Sequence, residues 1–138
     1  MKISVERVGS IVFSALDDQT QSDVVDGLIE YTDDDPDYVG EAAENSEFPI
    51  VKVLTIDAER MAEGRPQRPG VVGKYAIAWG QGDNFPPIVI SSKKGVMYAG
   101  THRSLSAAKA RIPFLYALDV SGAKLSTKGD SPVFTFPR

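Results

Sequence analysis

The chain contains one histidine, and its neighbours make it the natural place to look for chemistry. Gly100-Thr101-His102-Arg103-Ser104 stands between a β-rich run ending at Ala99 and a small-residue stretch, Leu105–Arg111. The first amides of a helix lack internal acceptors, and the helix dipole is positive at that end. A glycine-led loop feeding a helix therefore presents N–H groups outward, and a phosphate is an anion such a junction can hold. His102 and Arg103 are the candidate catalytic pair. An imidazole titrating near neutrality can donate to a phosphate oxygen or shuttle a proton. A guanidinium can clamp phosphate through its planar fork. Gly100, Thr101 and Ser104 complete the phosphate-binding set. The same residues also admit structural roles: a His102 ring bonded to backbone, and an Arg103 salt bridge to an acid of the N-terminal segment.

That loop needs strands before it and a helix after it. Pro87–Ser91 and Val96–Ala99 read as strands joined by a tight turn through Gly95, with Lys93-Lys94 at its tip. Leu105, Ala108 and Ile112 mark the inner side of a helix over Ser104–Arg111. Pro113 ends it, and Phe114–Val120 is another β-rich run. Upstream, Pro49–Asp57 reads as a strand and Ala58–Gly70 as a loop after one helical turn. Val71–Gly80 reads as a helix with Tyr75 and Trp79 four apart on one side, placed to stack a base or to pack a core. Lys2–Val8 and Ser10–Leu16 suggest two short strands around Gly9. Val24, Val25, Leu28 and Ile29 predict a helix from Gln19 to Tyr31. Thr32–Glu47 is an acidic loop or short helix. Its Asp33-Asp34-Asp35-Pro36-Asp37 run lacks the central glycine and distal glutamate of a calcium loop, so no metal site is assigned. Ser121–Ser131 reads as a loop, and Val133–Phe136 as a final edge strand.

With 138 residues and 42% hydrophobic content, the chain can build one core of ordinary size. Its longest apolar runs, such as Ile50–Ile56, are too short to cross a bilayer, and Met1–Glu6 lacks the apolar centre of a signal peptide. A cytoplasmic protein with no membrane partner is the expectation. The absence of cysteine excludes disulfides, thiolate catalysis and cysteine-held metals. Charge is segregated. Residues 1–48 hold thirteen Asp/Glu and two Lys/Arg, and residues 49–138 hold six and thirteen. The basic part suits a polyanion, whereas the acidic part would repel one, dock on a protein partner, or simply attract the basic part.

From about Ile50 to Val120 the chain resembles the ParB/sulfiredoxin superfamily. The carrying residues are Pro86-Pro87-Ile88-Val89-Ile90, Met97-Tyr98-Ala99-Gly100-Thr101-His102-Arg103, Ala107-Ala108-Lys109 and the Pro113–Val120 run. The resemblance implies an α+β fold, a small mixed sheet with short helices, over residues 49–138. Residues 1–48 would then form an acidic N-terminal extension of short strands and a helix. It also implies a nucleotide or nucleic-acid ligand, ATP, ADP or CTP with Mg²⁺, gripped by the Gly-x-His-Arg loop. Lys74 joins the loop as a basic phosphate ligand, with Arg65 and Arg68 as rivals for that place. Asp57 and Glu59 are the nearest carboxylates for activating a hydroxyl. Thr101 stands where sulfiredoxin has its nucleophilic cysteine, which excludes that chemistry. Ala99 stands where many ParB-like members carry an acid.

Three functions remain open on the sequence. The first is a nucleotide-binding protein, an NTPase or phosphotransferase where it turns its ligand over. The second is a DNA- or RNA-binding protein or nuclease using Lys93, Lys94, Lys109 and Arg111. The third is a non-enzymatic phage or mobile-element accessory protein whose acidic segment docks on a partner.

Overall fold

A computed structural model describes residues 2–137. Among these the chain forms seven strands and five α-helices, an α+β arrangement. The first strand, β1 (Glu6–Val12), is followed by a 3-10 turn at Phe13–Ala15 and then by α1 (Asp18–Thr32) and α2 (Pro36–Glu44). Strand β2 (Glu47–Leu54) leads into α3 (Thr55–Ala62) and α4 (Pro69–Gly80). Strands β3 (Ile88–Ser91) and β4 (Val96–Ala99) form a hairpin. After them come α5 (Thr101–Lys109), β5 (Phe114–Asp119), and a second hairpin, β6 (Lys124–Lys128) and β7 (Ser131–Thr135).

The main sheet runs β1-β2-β5-β3-β4, with β3 and β5 parallel and every other neighbour antiparallel. Strand alternation sorts its side chains into two cores. Val51, Val53, Ile88, Ile90, Leu115 and Ala117 point to one side, where α3, α4 and α5 supply Ala58, Met61, Ala62, Trp79 and Ala107. Phe48, Val89 and Leu118 point to the other side, where α1 and α2 supply Val24, Leu28, Val39, Ala42 and Ala43, and β7 adds Phe134. Each layer packs on one face of the sheet and buries the apolar side chains beneath it, which is why the helices sit where they do.

Several expectations need correction. Residues 1–48 contribute β1, α1 and α2 to the sheet and to the second core, so they are built into the body rather than extending from it. The two strands expected around Gly9 are one strand, with a register shift between Arg7 and Gly9; the glycine marks a bulge, not a break. The expected strand Pro49–Asp57 stops at Leu54, and Thr55 begins a two-turn helix. Asp33 and Asp35 are helix-end residues: Asp33 ends α1 at φ 58°, and Asp35 accepts from the amides of Asp37 and Tyr38 to start α2. The loop expected over Ser121–Ser131 contains β6, and β7 pairs with β6 rather than with the main sheet. No helix among the described residues is long and apolar enough to cross a membrane.

Candidate functional site

The Gly100 junction is set by the start of β3. Chain direction reverses from β4 into α5 directly over Ile88, and Gly100 takes φ 114° to make the turn. A Cβ at position 100 would fall 2.2 Å from Ile88 Cγ2, so glycine is required both by the backbone angle and by the contact. Helix α5 begins one residue later, three residues earlier than its pattern suggested, and the Ser104 amide closes its first turn onto the Gly100 carbonyl at 2.9 Å. The residues expected as a loop are therefore the helix's first turn. Among the described residues no group accepts from the amides of Thr101, His102 or Arg103.

The side chains of that turn are occupied. Thr101 Oγ1 accepts from Arg65 Nε at 2.7 Å. Arg65 also donates through Nη1 to the Met97 carbonyl at 2.6 Å and through Nη2 to the Tyr98 carbonyl at 3.3 Å, closing the open edge of β4. His102 Nε2 accepts from the Arg68 amide at 2.9 Å, which assigns the ring as neutral with its proton on Nδ1. Arg103 Nη1 donates to the carbonyls of Pro86 and Pro87 at 2.9 and 2.8 Å, and Nη2 meets Asp23 Oδ2 at 3.5 Å. The Arg103 and Asp23 side chains are 13% and 15% exposed. Burial pushes the Arg103 guanidinium below its usual range while Asp23 draws it back up, and an arginine stays charged throughout. The structural alternative read for Arg103, an ion pair to the acidic segment, is the arrangement present. Ser104 is fully buried with its hydroxyl unpartnered.

These residues line a cleft of about 400 Å³ bounded by Gln19, Thr20 and Asp23 of α1, Tyr75 of α4, the Phe85-Pro86 segment, and Ala99 to Arg103. Tyr75 and Phe85 lie with ring centroids 5.2 Å apart, and Phe85 stacks on Trp79 at 4.3 Å. Trp79 is held inward by a bond from Nε1 to Ser106 Oγ at 3.0 Å, so only Tyr75 of the expected aromatic pair faces the cleft. Lys74 is exposed on α4 and lies outside the cleft lining, as do Asp57 and Glu59 on α3. Lys93 and Lys94 follow the end of β3, whereas Lys109 and Arg111 precede the start of its parallel neighbour β5. The cations of the nucleic-acid reading therefore sit at opposite ends of the sheet.

Gln19, Thr20, Asp23 and Phe85 were not singled out by the sequence. Asp23 lies eighty residues from the arginine it meets, and nothing local marks it as a partner. Among the described residues no group of three or more His, Asp or Glu side chains could hold a metal ion. No protein-family model matches the chain, and no known curated protein or solved structure matches it significantly.

Proposed function

We propose that the protein binds a nucleotide in the α5 cleft, with phosphate oxygens on the amides of Thr101, His102 and Arg103. The observation that carries this reading is the coincidence of three acceptor-free helix-start amides with a cleft of about 400 Å³, a volume in the range of small-molecule sites. The ring of Tyr75 across the cleft gives a planar base a surface to stack on. The resemblance to the ParB/sulfiredoxin superfamily at Gly100–Arg103 supports the same choice of ligand. Arg103 and Asp23 cancel one another's charge, so the cleft itself offers the phosphates little net positive charge. Mg²⁺ arriving with the nucleotide would supply it, with Asp23 the carboxylate facing it. Because the His102 and Arg103 side chains are both engaged, the geometry favours binding over phosphoryl transfer.

The test is an amide-resolved NMR titration with ATP, ADP, CTP and inorganic phosphate in the presence of Mg²⁺. The amide signals of Thr101, His102 and Arg103 should shift saturably. Tyr75→Ala should weaken the nucleotides and leave phosphate unchanged. A folded protein whose three amides stay still with every one of these anions would sink the reading.

A further inference from the structure

One surface of the main sheet is only half covered. Register decides which side chains share the face that carries α1 and α2. Gly9, Ile50, Leu118 and Val89 form one row across it, and Ile50, Leu118 and Val89 belong to the second core. The next row is Glu6, Lys52 and Tyr116, and beyond it Leu54 stands opposite Phe114. There the helices have ended. Leu54 is 58% exposed and Tyr116 50% exposed, on β2 and β5, two adjacent strands inside the sheet rather than at its edges. Phe114 meets Tyr116 edge to face at 5.6 Å, and Lys52 Nζ lies 4.1 Å from the Phe114 ring centre. A contiguous apolar and aromatic surface on a sheet interior is unlike the scattered exposed side chains of an ordinary monomer.

We infer that this half-sheet packs against the same half-sheet of a second copy of the chain. The two strand columns are complementary to each other. The β2 column offers a cation and an aliphatic side chain, Lys52 and Leu54, and the β5 column offers two aromatic rings, Tyr116 and Phe114. A two-fold axis parallel to the strands and midway between β2 and β5 lays each column over the other. Lys52 then lies against the partner's Tyr116 and Leu54 against the partner's Phe114. Sheets stacked face to face with aligned strands tolerate that arrangement, and a cation over an aromatic face is attractive. An isologous contact repeats each pairing twice. The charges on the face agree. Glu6 and Lys52 form no ion pair among the described residues, so the surface carries one acid and one base and is neutral. Two copies of a chain with net charge −4 can approach through a neutral face, whereas a nucleic acid would find a single cation there.

Sedimentation equilibrium from micromolar to submillimolar protein tests this independently of any ligand. The weight-average mass of the wild type should rise toward twice that of the chain. Tyr116→Glu and, separately, Leu54→Glu should hold the protein at the monomer mass, with the dilute protein still folded and melting cooperatively because both side chains are at least half exposed. A wild type that stays monomeric across the range overturns the inference, and so does a dimer that survives both substitutions. A monomer that instead binds single-stranded oligonucleotide, and loses it with Tyr116→Glu, overturns it too and hands the face to nucleic acid.

Discussion

Gly100 shows how one residue fixes the geometry of the candidate site. Its φ of 114° and its seat against Ile88 place the start of α5 over the head of β3. Any Cβ there meets Ile88 Cγ2 and Cβ at 2.2 and 2.6 Å while the backbone holds an angle that side chains resist. Gly100→Ala should therefore cost about 3 kcal/mol in urea unfolding, combining backbone strain with overpacking. Gly9→Ala is the matched control, since nothing lies within 4 Å of a Cβ there and its φ is ordinary. It should shift stability by no more than about 0.5 kcal/mol. Equal losses at the two positions would contradict the account of the junction. The sequence disclosed the glycine and a helix after it, set three residues too late, and left the side chains of His102 and Arg103 open between ligand and structural partners. Arg103 looked like a phosphate clamp because its local neighbours suggested one. Its partners are the carbonyls of Pro86 and Pro87 and the distant Asp23, which only the fold brings near.

At the scale of elements, the segments with strong periodicity or clear punctuation were legible, and those without were not. Helix α1 follows from the spacing of Val24, Leu28 and Ile29, and α4, β3, β4 and β5 lie close to where their patterns put them. Helix α3 is hidden in the sequence because Thr55 and Ile56 are β-branched and prolong the pattern of the strand before them. Strand β6, Lys-Leu-Ser-Thr-Lys, is almost wholly exposed and carries little apolar signal, although Gly129-Asp130 forms the two-residue link of its hairpin. The Asp17 cap of α1 makes a pH-dependent contribution. Asp17 Oδ1 accepts from the Thr20 amide at 2.8 Å, and the bonds from the Thr20 hydroxyl and amide hold the Asp17 carboxyl below its ordinary range. A carboxyl held low when folded stabilises the protein fully above the ordinary carboxylate range, and that contribution disappears as pH falls through the lower folded value. Asp17→Ala should cost about 1 kcal/mol at neutral pH. Asp17→Asn keeps an acceptor at the cap, so the wild type's advantage over it should vanish on acidification. A constant difference across the acid range, followed by urea midpoint, would remove Asp17 from the acid response.

For the whole molecule, the question is whether residues 1–48 belong to the same folding unit as the rest. Composition argued for separation, because thirteen acids in the first 48 residues contrast with a basic remainder. Packing argues for unity. Apart from Asp23, which pairs with Arg103 in the cleft, the acids of α1 and α2 lie on their outer sides, and the inner sides bury Val24, Leu28, Val39, Ala42 and Ala43 against Val89 and Leu118. Charge segregation thus reports which surface is acidic, not where a domain ends. Leu28 and Trp79 lie on opposite sides of the sheet, in different cores, and Trp79 is the only tryptophan. Leu28 is fully buried, so Leu28→Ala should leave a cavity and cost about 3 kcal/mol. In a single cooperative unit, unfolding followed by Trp79 fluorescence and by far-ultraviolet circular dichroism would move to lower denaturant together, with coincident midpoints. An early helical loss by circular dichroism with an unmoved Trp79 transition would mean that α1 and α2 melt on their own. The sheet would then have to stand with its second face exposed, and Val89 and Leu118, each fully buried, make that costly.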